Sequence, residues 1–196
     1  MSERPQAQNC PRAQARNIID CRWVRKWKVE EQGDGTTKRY IRSRLTVRGF
    51  KDRDADKVST YAGTSTRYSQ RIVVSVAAIK RWSLATADIS NAFLQGVSYD
   101  ELAQLTGEPK RDVCFDLPKG SLPALRCLLG YQDFDPAKET LRCLKPGTGL
   151  KDAPQAFSLK LGRVTAACGM KPVSVDPELE VLHGQDGTLQ FKCPST

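Results

Sequence analysis

The chain has 196 residues, of which 39% are hydrophobic and 27% charged, and this composition fits one folded domain with or without a tail. Lysine and arginine number 31 against 22 aspartates and glutamates, and the net charge of +9 favours a polyanionic partner such as nucleic acid. The sequence has no long apolar run, no apolar signal segment, no C-x-x-C pair among its 7 cysteines and only one histidine. These absences predict a cytoplasmic or nuclear protein with no transmembrane helix, disulfide framework, zinc site or Ser-His-Asp triad.

The first half of the chain predicts a tail, a hairpin and a helix. Residues 1–17 are polar, lack periodicity and predict a disordered lead-in. Two alternating segments then flank the turn-rich EEQGDG, which predicts an antiparallel hairpin over residues 21–48 with one strongly basic face. An apolar stripe with period 3.6 predicts a helix over 68–80, capped by Ser65 or Thr66.

The second half mixes short strands with helices. SLATADIS predicts a strand over 83–90, and residues 98–112 are interpreted as a polar insertion. VCFDLP and LRCLK predict strands, LPALRCLLG predicts a short helix, and the clearest second helix covers 153–167 with Pro154 in its first turn. A last hairpin is expected around residues 184–187, so the predicted class is α+β.

Asp88 is the first candidate site residue, and its position allows two interpretations. A carboxylate after the apolar run LATA is either a helix cap or a metal ligand, and the cap of a short helix starting near Asn91 could be Asp88 or Ser90. Three other features also have an ordinary alternative. The basic hairpin could bind phosphates, or it could be a solvated sheet face. Phe93 could pack against a sugar or in the core. Gly149 and Lys151 could hold an anion at the start of a helix, or they could form an ordinary helix entry.

Six segments in the same order resemble the reverse transcriptase domain of copia-type retrotransposons. The resemblance runs from about Asn17 to Cys193 and implies a reverse-transcriptase-like fingers and palm, with an antiparallel sheet, packed helices and an incomplete C-terminal end. Residues 21–85 would be fingers-like and 86–193 a partial palm. The segments are IIDCRWVRKWKV, YIRSRLTVRGF, WSLATADISNAFLQG, VCFDLPKG, LRCLKPGTGLKDAPQAF and GMKPVSVDP.

The resemblance also implies roles for individual residues. In the family an RNA-directed DNA polymerase joins nucleotides through two Mg²⁺ or Mn²⁺ ions, and Asp88 matches its first catalytic aspartate, with the Ile89 carbonyl as a further metal ligand. Phe93 matches the ring that selects deoxynucleotides. The implied partners are an RNA template, a DNA primer, deoxynucleoside triphosphates and other polyprotein parts such as integrase and RNase H, with no membrane. The implied nucleotide-binding residues are Phe93, Gly149, Lys151 and Arg44, and the implied nucleic-acid-binding residues are Arg39, Arg42, Arg48, Lys51 and Pro154.

The chain also departs from the family pattern. The family carries an x-Asp-Asp motif after the segment matching DGTLQF, where this sequence reads CPST, and Asp152 replaces a commoner neutral residue. The metal site is therefore expected to be half built, and a cofactor ion is expected only for the complete site. Three interpretations follow: a truncated polymerase domain that is inactive as this chain, a domesticated fragment that binds nucleic acid without chemistry, and a relic without a selected role.

Overall fold

The computed structural model describes residues 7–33, 35–184 and 189–192, which form two sheets, four helices and short 3-10 turns. The larger sheet has the strand order β1-β5-β4-β2-β3 and the smaller one the order β6-β7-β8. The elements are β1 (Ala7–Pro11), β2 (Ile18–Glu31), β3 (Thr37–Val47), α1 (Arg67–Lys80), α2 (Tyr99–Thr106), β4 (Cys114–Asp116), α3 (Leu122–Arg126), β5 (Glu139–Cys143), α4 (Ala153–Ala167), β6 (Lys171–Val173), β7 (Asp176–His183) and β8 (Leu189–Lys192).

The hairpin of β2 and β3 is the longest feature of the larger sheet, and it confirms the predicted antiparallel pair. Its register runs from Cys21 opposite Val47 to Glu31 opposite Thr37. Because side chains alternate along a strand, Trp27 and Ile41 share one face while Lys26 and Arg42 share the other. The residues that share the basic face are Arg22, Val24, Lys26, Lys28, Glu30, Lys38, Tyr40, Arg42, Arg44 and Thr46.

The main core lies on one face of the larger sheet. The start of β2 runs parallel to β4, whereas the other neighbouring strands of this sheet are antiparallel. Ile19, Phe115 and Leu141 are buried on these strands, and Tyr99 and Ala156 pack against them from α2 and α4. Helices α1 and α4 occupy the predicted positions to within one residue. The side chain of Thr66 accepts a hydrogen bond from the Ser69 N–H at the start of α1, as a capping residue does.

Residues 7–17 correct the prediction of a disordered lead-in to residue 17. Ala7 to Pro11 form β1, which pairs antiparallel with β5, and Cys10 is fully buried in that strand. Arg12 adds a two-armed ion pair with Asp116, with nitrogen–oxygen distances of 2.7 and 2.6 Å. The segment has no alternation of its own, so its strand conformation follows from pairing with a distant strand. Residues 1–6 of the predicted tail lie outside the described residues.

Residues 98–112 are another correction, because the segment interpreted as a polar insertion contains α2. Ser98 caps this helix by accepting from the Glu101 N–H, and the Glu101 carboxylate accepts from the Ser98 N–H in return. This reciprocal capping box satisfies two backbone donors that the first turn would leave free. Tyr99 and Leu102 are three residues apart, lie on one helix face and are buried in the core.

The strand predicted over residues 83–90 is wrong. Residues 82–89 have no regular structure, and within the described ranges no strand pairs with them. A strand is stable only when a neighbour completes its ladder of hydrogen bonds, and β7 instead pairs with β6 on one side and with β8 on the other. The pairing of β7 with β8 confirms the last predicted hairpin, although its turn at 185–188 lies outside the described residues.

The described cysteines agree with the expectation of reduced, mostly buried thiols. All six of them are free, and Cys10, Cys21, Cys114 and Cys143 are buried. Burial raises the pKa of the Cys21 thiol to about 12, which keeps this thiol protonated and unreactive at neutral pH. No helix in the described part of the chain is long and apolar enough to cross a membrane.

Candidate functional site

A cleft of about 570 Å³ lies between β3 and the irregular segment 88–94, and five of the predicted site residues line it. Asp88, Ile89 and Phe93 line one side, and Arg42 and Arg44 of β3 line the other. The cleft thus brings Asp88 and Phe93 to the β3 segment that carries Arg42 and Arg44, whose side chains alternate across the strand with those of Ser43 and Leu45. A cleft with an apolar wall and a few charged lining residues is typical of a ligand site.

The Asp88 carboxylate is free in the described structure, so the helix-cap interpretation is wrong. Asn91, in a left-handed conformation with φ of 51°, precedes a 3-10 turn over Ala92–Gln95, and no side chain caps that turn. The Gln95 side chain closes the segment instead by donating to the Ser90 carbonyl oxygen at 2.7 Å. Among the described residues no hydrogen bond or ion pair engages Asp88, so its oxygens can accept a ligand from the cleft.

Gly147 and Thr148 form another wall of the cleft, and their loop depends on the neighbouring Gly149. The Val47 N–H donates to the Thr148 carbonyl oxygen at 3.0 Å, which fastens the loop to the end of β3. Gly149 has a φ of 98°, and a β-carbon added there would collide with the Val47 carbonyl oxygen. A glycine is therefore required at position 149 by the close approach of the loop backbone to β3.

We expect Gly149→Ala to lower the free energy of unfolding by about 2 kcal/mol or more, since the methyl group meets both a strained backbone and the Val47 carbonyl. Gly107→Ala is the matched control, because Gly107 also has a positive φ, of 72°, yet nothing lies within 4 Å of the added carbon. It should lose only about 1 kcal/mol. Urea denaturation of both variants measures the difference, and equal losses would contradict the role of the close approach.

The arginines and lysine predicted to bind nucleic acid do not form one surface. Arg42 lies with Lys26 on the basic face of the hairpin, whereas Arg39 lies on the opposite face. Arg48 and Lys51 both contact the Asp20 carboxylate, each at 2.9 Å, and these contacts lower the pKa of Asp20. The structure therefore brings only part of the predicted set together.

Two further predicted residues lie at the entry to α4. Lys151 extends away from the cleft and contacts the exposed Asp56 carboxylate at 3.6 Å. Pro154 is in the first turn of α4, as expected. Neither residue lines the cleft, so any contact with a ligand there would be through the adjoining loop.

The described residues do not by themselves fit a two-ion metal site. No group of three or more histidine, cysteine, aspartate and glutamate side chains able to hold a metal occurs within the described ranges. The Asp176 carboxylate is already engaged, because it accepts from the Thr66 N–H at 2.8 Å and from the Ser69 hydroxyl, and these hydrogen bonds lower its pKa. It therefore anchors β7 to the start of α1, and Asp186 lies outside the described residues.

A buried ion triad lies at the start of α4, and no sequence pattern predicted it. The Arg111 guanidinium bridges the Asp52 and Asp152 carboxylates and also lies over the Tyr99 ring, 5.8 Å from its centre. The Asp52 carboxylate accepts from Asn17 at 2.7 Å as well. Asp152 immediately precedes α4, so the triad fastens the start of that helix to the segment after β3.

The pKa values of the two carboxyl groups in the triad are shifted in opposite directions. Burial raises the pKa of Asp152, even though the Arg111 guanidinium acts to lower it. Burial also acts to raise the pKa of Asp52, but hydrogen bonds from Asn17, the Asp54 N–H and Arg111 outweigh it and hold that pKa below its usual value. The difference follows from the balance at each carboxylate, since the cost of burial outweighs the favourable contacts at Asp152 and is outweighed by them at Asp52.

Comparison with known proteins relates the chain to mobile genetic elements. It is 30% identical over 167 residues to the retrovirus-related Pol polyprotein from transposon RE2 of Arabidopsis thaliana, and equally identical over the same length to that from transposon RE1. The chain is similar to a segment of retrotransposon Pol polyproteins. The similarity covers 85% of this chain but only 10% of either relative, so the chain spans about a tenth of their length. No protein-family model and no solved structure matches it.

The cleft also contains residues that no motif had singled out. Lys145 and Thr148 line it next to Gly147, and Ser43 and Leu45 line it from β3. Lys145 adds a basic residue to the lining. Alternation along β3 could have indicated Leu45. No local pattern could have indicated Lys145 and Thr148, because the fold of the chain brings these loop residues to the cleft.

Proposed function

We propose that the chain is the nucleotide- and nucleic-acid-binding part of an RNA-directed DNA polymerase, with a reverse-transcriptase-like fingers and palm. The observation that supports it most is the cleft, which is lined by Asp88 and Phe93 on one side and by the β3 segment with Arg42 and Arg44 on the other. Guanidinium groups suit the phosphates of a nucleotide because their fork pairs with two oxygens at once. A ring in the same cleft is placed to contact the sugar.

The basic face of the hairpin supports the proposed binding of nucleic acid. Lys26 lies directly opposite Arg42, and no acidic side chain pairs with either in the described structure. Cations without protein partners attract phosphates and release the counterions that surround them. The partners would be an RNA template, a DNA primer and deoxynucleoside triphosphates, with integrase and RNase H as further parts of the polyprotein.

We confine the proposed activity of the described residues to binding. In the cleft the Asp88 carboxylate and the Ile89 carbonyl could serve as ligands of Mg²⁺ or Mn²⁺, but two oxygens do not make up the donor set of two ions. This limited donor set favours a second candidate function, a fragment that binds nucleic acid without catalysis. Primer extension by the chain in Mg²⁺ separates the two, because only a polymerase lengthens the primer.

Sugar selectivity tests the nucleotide half of the proposal. The chain with a primer–template should bind dATP about tenfold more tightly than ATP in equilibrium dialysis, since a 2′-hydroxyl would crowd Phe93. Phe93→Ala should remove most of that ratio. Leu94→Ala is the matched control, because Leu94 also lines the cleft next to Phe93 and its truncation should leave the ratio unchanged. If neither nucleotide binds, or if both variants behave alike, the cleft is not a nucleotide site.

A further inference from the structure

The face of the hairpin opposite the basic one is apolar and open to solvent. Trp27 is 71% exposed, and Ile41, which pairs with it directly, is 50% exposed. Val29 continues the patch toward the turn. Trp23 on the same face differs, because its indole N–H donates to the Ser121 hydroxyl at 2.9 Å and ties it to the start of α3. Exposed apolar surface in a contiguous patch usually marks a binding site.

Two arginines flank this patch on the same face. Arg25 lies two residues before Trp27 and pairs with Ser43, and Arg39 lies two residues before Ile41 and pairs with Val29. A strand rises about 3.3 Å per residue, so Arg25 and Arg39 each lie about 7 Å along the strand from the Trp27–Ile41 pair. Neither arginine forms an ion pair within the described part of the chain. An aromatic ring between two free cations complements a base that carries phosphates on either side.

The patch is continuous with the cleft. Ser43 and Leu45 share the face of Ile41, two and four residues further along β3, and both line the cleft. A ligand that leaves the cleft along this strand would therefore reach Trp27 after Ser43. Single-stranded nucleic acid is a ligand of that shape, because it is extended and its bases are free to stack.

We propose that this face, defined by Arg25, Trp27, Arg39 and Ile41, binds the unpaired bases of single-stranded nucleic acid, with Trp27 as the stacking platform. The inference rests on the proposed function and adds selectivity for single strands. A second copy of the chain is the competing occupant, and charge disfavours it. Pairing the face with its own copy would bring the guanidinium groups of Arg25 and Arg39 close to like charges, which weakens association.

Fluorescence anisotropy with the full chain tests the inference. The probes are a labelled single-stranded RNA, a blunt duplex of the same sequence and a backbone oligomer without bases. Trp27→Ala should lower affinity for the single strand about tenfold, because one stacked base is lost, and should leave the other two probes within about twofold. The dependence of affinity on salt should stay unchanged, since stacking releases no counterions. Replacing Arg25 and Arg39 with alanine should instead reduce the salt slope by about 0.7 for each lost contact.

Two control variants keep the result interpretable. Trp27→Phe retains a ring and should recover most of the affinity, which shows that loss in Trp27→Ala comes from stacking and not from unfolding. Tyr68→Ala removes an aromatic residue of α1 that is 77% exposed, and it should have no effect. Equal loss of single strand and duplex in Trp27→Ala would overturn the inference, as would a dimer in sedimentation that dissociates on this substitution. If the wild-type chain binds none of the probes, the proposed function fails as well.

Discussion

Arg111→Met should lower the free energy of unfolding by about 3–5 kcal/mol. The substitution removes the only cation that contacts the Asp52 and Asp152 carboxylates in the described structure, and both side chains are almost fully buried. A buried charge without its partner is far more costly than the intact pair is stabilising. Urea or thermal denaturation at neutral pH measures the loss.

Lys110→Met is the matched control for this prediction. It removes a cation at the neighbouring position, but the Lys110 pair with Asp100, at 2.6 Å, is exposed at both ends. Exposed pairs contribute about 0–1 kcal/mol, so this variant should keep nearly all of its stability. Replacing both aspartates with asparagine in the Arg111→Met background should recover part of the loss. A deficit below about 1 kcal/mol in Arg111→Met would show that the triad is not what holds this region together.

The same variant should respond to pH in a defined direction. Burial already raises the pKa of Asp152 in the presence of Arg111, and loss of the cation raises it further. A carboxyl group whose pKa is higher in the folded than in the unfolded state stabilises the fold below the unfolded pKa, and this contribution is lost as pH rises. The deficit of Arg111→Met relative to wild type should therefore be smaller at pH 5 than at pH 7.5. A deficit that grows on acidification would contradict this account.

Replacing Lys26, Arg42 and Arg44 together with glutamate should reduce affinity for nucleic acid more than a hundredfold at low salt. Lys26 and Arg42 are paired across the strands, and Arg44 lies two residues further on the same face. Three reversals remove phosphate contacts and add repulsion, and each lost contact also lowers the salt slope by about 0.7–0.9. The sequence had placed Arg48 among the nucleic-acid-binding residues. Arg48 contacts Asp20, so the variant changes Lys26 and leaves Arg48 intact.

The control for the charge reversal places the same change on another surface. Arg67, Arg71 and Lys80 of α1 are exposed, and replacing all three with glutamate alters the net charge equally. That variant should lose only the modest affinity that a lower net charge removes. Filter binding across a salt series distinguishes the two variants. If both lose affinity to the same extent, the basic face is not the binding surface.

Local sequence patterns were sufficient to predict the hairpin of β2 and β3 and the helices α1 and α4. Alternation over residues 21–48 predicted the hairpin and its basic face, the 3.6-residue period predicted α1, and Pro154 in a first turn indicated α4. The signal for α2 was also in the sequence, since Ser98 followed by Glu101 is a capping box, but the polar residues after it suggested an insertion. The grouping of Asp88 and Phe93 with Arg44 came from family resemblance, because periodicity carries no information about which loops meet.

The features that could not be predicted depend on residues far apart in the chain. Asp52, Arg111 and Asp152 have no common motif, and only the packing of three segments brings them together. The segment 82–89 has the composition of a strand but needs a neighbouring ladder, and composition cannot report whether a neighbour is present. β1 is the converse case, since a weak segment becomes a strand because β5 pairs with it.

The pairing of β1 with β5 has a consequence for how the chain acquires its structure. Ala7 faces Cys143 across the sheet, so β1 is synthesised well before the strand it pairs with. Contacts between such distant positions close large loops and slow the search for the native topology. During translation β1 would remain without a neighbour until β5 leaves the ribosome. We therefore expect docking of β1 to be a late, slow phase of refolding, and this phase should be absent from a chain that begins at residue 12.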